Sequence, residues 1–106
     1  MNITSLKNNA QSASRFLKAI SNSHRLLILC HLADSERSVG ELEKIVGLSQ
    51  SALSQHLARL RKEEIVKTRR EAQTIYYSIQ DKNVLDVLRL MDNIFTEDTA
   101  KLARVA

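Results

Sequence analysis

A mainly helical fold with one small β-hairpin is predicted by three features of this 106-residue chain. It has no proline and only two glycines, which suits helices joined by few loops. Apolar residues recur at helical period through most of its length, and the period drops to two only within residues 65–79. Apolar residues make up 43% of the chain but only four are aromatic, so Leu, Ile and Val must fill the core. One domain spanning residues 1–106 is the expectation for this length.

The first ten residues are polar and read as a frayed terminus. Ala13, Phe16, Leu17 and Ile20 then share one side of a short helix. Asn22 is a good N-cap for a helix over residues 24–33. That helix is apolar almost all round (Leu26, Leu27, Ile28, Leu29, Cys30, Leu32) and is expected at the buried centre. Arg25 sits near its start, where the macrodipole disfavours a cation, so a carboxylate or phosphate partner is expected.

Residues 38–62, SVGELEKIVGLSQSALSQHLARLRK, read as two helices joined by a tight turn. Ser38 and Glu41 have capping-box spacing. Val39, Leu42, Ile45 and Val46 form one apolar side, and Gly47 can take the left-handed conformation that stops the helix. Leu48 anchors the turn and Ser49 is placed to cap the second helix. That helix has Leu53, Leu57 and Leu60 on one stripe, with Ser51, Gln55, Ala58 and Lys62 opposite and Ser54 and Arg59 flanking. An ordinary surface helix would carry mostly Glu and Lys there. A face of Ser, Gln and Arg instead suits the major groove, where Gln pairs with adenine and Arg with guanine.

Residues 65–70 and 73–79 are β-type runs, Ile75, Tyr77 and Ile79 alternating with Thr74, Tyr76 and Ser78. The link through Glu71 and Ala72 is short enough for a hairpin turn. A two-stranded ribbon with basic residues at its tip, following a recognition helix, is a wing. Asp81 then caps a last helix over residues 82–95, with Val84, Val87, Leu88, Met91, Ile94 and Phe95 on a broad apolar face. The tail from Thr96 is too polar for core.

The net charge is +4, and residues 49–79 supply most of it, with six basic and three acidic residues. A polyanion would be drawn to that third of the chain. Double-stranded DNA is therefore the expected partner. The expected contacts are Ser49, Gln50, Ser51, Ser54, Gln55, Arg59 and Lys62 on the helix, and Arg69, Arg70 and Gln73 on the wing. Two apolar strips are left over: Ala13, Phe16, Leu17 and Ile20 on the first helix, and Val84, Leu88, Met91 and Phe95 on the last. They predict a twofold dimer. No signal peptide or membrane-length apolar run is visible, and a lone cysteine suits the cytosol. No nucleophile–base pair, phosphate loop or acid–base carboxylate pair suggests an enzyme. His56 is expected to hold the recognition helix in place. Tyr76 and Tyr77 read as strand packing.

The stretches NSHRLLILCHL, SVGELEKIVGLSQSALSQHLARLR and IVKTRREAQTIYYSI, in the order helix, helix, helix-turn-helix, wing, helix, resemble the ArsR/SmtB family of winged-helix repressors. The likeness runs from about Phe16 to Phe95 and is closest to the HlyU, BigR and NolR branch. It implies a winged helix-turn-helix homodimer that binds an inverted-repeat operator and represses transcription. The alternatives are an anti-silencing regulator that displaces another DNA-binding protein, and a winged-helix protein-interaction module. One metal site of the family needs a Cys-x-Cys pair near Ser38–Val46, where this chain has Gly40 and no cysteine. A second needs histidines on the last helix, which here has only Asp86 and Asp92 as ligand types. No metal and no cofactor are therefore expected. The branch's two-cysteine redox switch has Cys30 at its first position but Thr96 at its second. Cys30 then reads either as a single redox-responsive thiol or as a small buried core residue, the latter favoured.

Overall fold

The computed structural model describes residues 2–105, with side chains through Thr96. Its elements are α1 (Ile3–Asn8), α2 (Ala10–Ile20), α3 (Ser23–Asp34), β1 (Arg37–Ser38), α4 (Val39–Val46), α5 (Gln50–Lys62), β2 (Val66–Glu71), β3 (Thr74–Ile79) and α6 (Asn83–Val105). Short polar side chains set where the central helices start. Asn22 Oδ1 accepts from the backbone N–H of His24 and Arg25. Ser38 and Glu41 form a reciprocal capping box, and Ser49 Oγ accepts from the Ala52 N–H. Each supplies an acceptor to N–H groups that no helical carbonyl can reach.

Two left-handed residues set where the helix-turn-helix ends. Gly47 stops α4 at φ 72°. Glu64 stops α5 at φ 59°, with Ile65 N–H donating to the Leu60 carbonyl and Glu64 N–H to that of Arg61. This is the Schellman arrangement, here without the glycine that usually serves it.

The core is one cluster: Ala19 and Ile20 of α2, Ile28, Leu29 and Leu32 of α3, Leu42 of α4, Leu53, Leu57 and Leu60 of α5, Ile65, Val66 of β2 and Val84 of α6. The three strands are antiparallel in the order β1-β3-β2, with Arg69 opposite Tyr76 and Arg70 opposite Ile75. Ala72, at φ 55°, starts the two-residue turn of the wing. The winged helix-turn-helix is thus present, with five departures from the sequence reading.

The supposedly frayed terminus contains α1, capped by Asn2 at one end and Asn9 at the other. The sheet has three strands, because Arg37 and Ser38 pair with Tyr77 and Tyr76; two residues are too few to show alternation. The last helix runs on to Val105, and Thr96 donates to the Asp92 carboxylate one turn back. Helix period does not need an apolar face to persist. The most consequential difference concerns the two apolar strips. Ile20 and Val84 are core, not interface, at 4% and 0% exposed, while Leu17 remains 55% exposed. Ala13, Phe16, Leu88 and Met91 are half-buried, and Phe95 is exposed. α3 is likewise buried on one side only: Ile28, Leu29 and Leu32 pack inward while Leu27 and Cys30 face out. Among the described residues no helix is long and apolar enough to cross a membrane.

A side chain in the left-handed region costs roughly 1–2 kcal/mol. Glu64 is exposed and its side chain is not needed for packing. Glu64→Gly should therefore raise stability by up to about 1 kcal/mol, a shift of several degrees in Tm for a domain of this size. Thermal unfolding followed by circular dichroism checks it, and an unchanged or lower Tm contradicts it.

Candidate nucleic-acid interface

Burying Leu53, Leu57 and Leu60 turns the other side of α5 to solvent. Gln50, Ser51, Ser54, Gln55, Ala58, Arg59, Arg61 and Lys62 are all exposed along it. Ser51, Gln55 and Lys62 point directly away from the core, given 100° per residue. Ser49 is exposed as well; its oxygen already caps the helix, which leaves its O–H free to donate.

The two flanks of α5 differ. On one side, Gln50, Ser54, Arg61 and Lys62 face Ile75 and Tyr77 of the wing across a groove of about 630 Å³. Arg61 was not among the expected contacts, although its place beside Lys62 could have flagged it. On the other side, Arg59 lines a shallower depression of about 410 Å³ with Arg15 and Lys18 of α2. The expected contact residues on α5 therefore span one exposed face with a depression along each flank.

The wing arginines also separate. Strand alternation sends neighbours to opposite faces. Arg70 lies on the face of its partner Ile75, toward the groove, and makes no ion pair among the described residues. Arg69 lies on the other face. It is held by Glu36 and Glu71 and covers the Tyr76 ring at 4.5 Å. Hydrogen bonds to Glu36 and then Glu71 push its pKa above the ordinary arginine value, and the same contact lowers that of Glu36. Arg69 thus ties the wing to the segment before β1, with its side chain still 49% exposed. Glu36 lies 33 residues away in sequence, so no local pattern shows the pairing. Gln73 is exposed at the wing turn.

Behind α5, Arg25 departs from the expectation of a carboxylate: among the described residues its partners are neutral acceptors. Its guanidinium donates to the carbonyls of Lys18 and Ala19 at the end of α2, and one nitrogen lies 3.3 Å from His56 Nδ1. A cation at a helix C-terminus offsets the dipole there, so one side chain links α2, α3 and α5. His24 stacks obliquely on His56 with ring centroids 5.5 Å apart. Burial first, then the charges of Arg25 and His24, lower the His56 pKa. The ring therefore stays neutral and can accept from Arg25.

Cys30 is exposed, against the favoured expectation of a buried thiol. It lines a shallow cleft with Asp34 of α3 and Leu88, Arg89 and Asp92 of α6. Partial burial, and then the Asp92 charge, raise its pKa, which disfavours the reactive thiolate. Among the described residues no group of three or more His, Cys, Asp or Glu could hold a metal ion.

Residues 22–68 match the family profile described as "Bacterial regulatory protein, arsR family". The transcriptional activator HlyU of Vibrio cholerae is 45% identical over 92% of this chain and 90% of its own. The nodulation protein NolR of Rhizobium meliloti is 52% identical over 85% of this chain and 74% of its own. Among solved structures, the transcriptional repressor BigR of Xylella fastidiosa superposes with a TM-score of 0.84 at 35% identity, covering 90% of this chain and 97% of its own. A homodimeric winged helix-turn-helix DNA-binding domain from Mycobacterium bovis superposes with a TM-score of 0.75 at 29% identity, covering 93% and 91%.

Because His56 is held below its ordinary pKa, the unfolded chain takes up protons more readily there. Its contribution to stability is full above about pH 6.5 and is lost as the pH falls through the folded-state pKa. Wild type should lose more Tm between about pH 7.5 and 5.5 than His56→Gln, which keeps an acceptor but cannot titrate. Equal losses in both proteins would refute this account of the contact.

Proposed function

This chain belongs to the arsR family of bacterial regulatory proteins, in the branch of HlyU, NolR and BigR, and is a DNA-binding transcriptional regulator; we propose that it represses transcription as a homodimer bound to an inverted-repeat operator. The observation that carries this reading is the form of α5. Its leucines are core, its outer face is Ser, Gln, Ala and Lys, and cations line both flanks.

In this reading Gln55 and Ser51 contact base edges, Gln55 pairing with adenine. Ser49, Gln50 and Ser54, at the N-terminal half of α5, add contacts to the groove wall. Arg61 and Lys62 hold the backbone on the wing side, and Arg59 on the other. Arg70 and Gln73, at the wing, reach toward the minor groove. Arg69 acts through the position of the wing and not by touching DNA.

The dimer is supported by surface that the monomer leaves uncovered. Leu17 of α2 and Leu90 and Ile94 of α6 are 55%, 54% and 40% exposed, and α1 adds Ile3 and Leu6 at 76% and 50%. Half-buried Ala13, Phe16, Leu88 and Met91 and exposed Phe95 continue the same faces. The homodimeric M. bovis neighbour supports it too. Pairing through the first and last helices would set two recognition helices about 34 Å apart, one turn of duplex. Cys30 has no second thiol in its chain, so control by an intrachain disulfide is not part of this reading.

A second reading draws on HlyU, which is named an activator: the same bound dimer could raise transcription by displacing a silencing protein. Transcription from the protein's own upstream region, with purified polymerase alone, separates the two. Repression lowers the transcript directly, whereas anti-silencing has an effect only once a silencer is added.

Gln55→Ala should cost about 1–3 kcal/mol on the best site and much less on random duplex. Arg70→Ala should weaken both and flatten the salt dependence. Fluorescence anisotropy measures each. Equal losses on both duplexes for Gln55→Ala would remove its base-reading role. Light scattering at micromolar concentration should give twice the 12.0 kDa chain mass, and Leu17→Glu with Leu90→Glu should give the monomer. A monomeric wild type would sink the twofold arrangement.

A further inference from the structure

We propose that α2 is a second phosphate-gripping element, which holds the DNA backbone strand on the side of α5 away from the wing. This rests on the reading of α5 as the helix that enters the major groove. The first observation is in the charge sequence. Residues 1–33 contain Lys7, Arg15, Lys18 and Arg25 and no Asp or Glu. They therefore carry a formal +4, equal to the net charge of the whole chain, while the remaining residues carry equal numbers of each sign.

The second observation is where α2 puts that charge. Phe16 packs against the core and Ile20 is part of it. At 100° per residue, Gln11, Ser14, Arg15 and Lys18 fall on the opposite side of the helix. Together with Arg59 they line one depression beside α5. An ordinary solvated helix face mixes signs, because Glu–Lys pairs one turn apart stabilise it. This face has no acidic residue, and the first turn of α2 lacks the carboxylate its dipole would favour. Among the described residues the carboxylate that pairs with this face is Glu63, at 4.0 Å from an Arg15 side chain that is 68% exposed. Glu63 itself is largely buried, at 18% exposed, but a pair as wide as 4.0 Å with an exposed arginine contributes little and leaves guanidinium N–H groups of Arg15 facing solvent.

Arg25 adds the third observation. By covering the Lys18 and Ala19 carbonyls it offsets the negative end of the α2 dipole, which would otherwise repel phosphate beside Lys18.

A major groove about 12 Å wide has a backbone strand along each rim. With α5 in the groove, Arg61 and Lys62 meet one rim. Arg59, Arg15 and Lys18 meet the other. Each phosphate neutralised should steepen the salt dependence of log K by about 0.9.

The test uses the full chain and a random-sequence duplex of about 30 base pairs, with affinity measured by anisotropy across roughly 50–200 mM salt. Arg15→Gln with Lys18→Gln should flatten the slope by about 1.8, each single change by about half of that, and lower affinity at least about tenfold near 0.1 M. Lys82→Gln with Arg89→Gln removes the same charge from the α6 end and should leave the slope near wild type. An unchanged slope in the α2 variant, or equal flattening in the α6 control, overturns the proposal while leaving the DNA-binding reading intact. Failure of the wild type to bind the duplex even at the lowest salt overturns both. Circular dichroism and light scattering on each variant separate lost contacts from lost folding, and the single variants decide the matter if the double variant does not fold.

Discussion

Burial of Leu53, Leu57 and Leu60 is the constraint on which the rest depends, because it fixes the rotation of α5 about its own axis. Each leucine is at most 2% exposed and contributes about 1.5–3 kcal/mol of apolar burial. A turn of the helix by one residue, 100°, would expose that stripe and bring polar side chains into the core. The outer face is therefore determined by what the inner face must bury. Ser51, Gln55 and Lys62 are thereby turned outward by the helix itself, without a side-chain partner among the described residues.

Arg25 sets the remaining freedom of α5. The leucine stripe fixes rotation, but α5 could still tilt against α2. One guanidinium reaches the last carbonyls of α2 and the ring of His56 on α5, so the two helices are referenced to a common point on α3. Arg69 does the equivalent for the wing by tying it to Glu36 ahead of β1. Both are cations that a charge count would assign to DNA. Both have partners inside the fold, whereas Arg59, Arg61, Lys62 and Arg70 are exposed along α5 and the wing.

Local signals were enough for most of the chain's elements. Asn22, Ser38 with Glu41, Gly47 and Ser49 each act within three or four residues of themselves, and each bounds a helix where its chemistry says it should. The leucine spacing of α5 and the alternation in β3 were equally local, so the helix-turn-helix, the wing and the polar outer face of α5 could be read directly. α1 was missed because its cap, Asn2, lies in a stretch too polar to show a packing face, and β1 because two residues cannot show a period.

What only the tertiary structure decided is which side chains are already taken. Arg69 is spent on Glu36, Arg25 on α2 and His56, and Ile20 and Val84 on the core instead of an interface. Cys30 stands outside a helix that is apolar nearly all round, because only one side of α3 finds neighbours. Apolarity says that a residue can be buried, and charge says that it can bind. Neither says what lies opposite in space, since Arg25 and His56 are separated by 31 residues of sequence and Arg69 and Glu36 by 33. The amino-acid sequence thus determined the elements and the chemistry each could offer. Packing determined which of those offers remained open, because a hydrogen bond or a buried contact made inside the fold is no longer available to DNA.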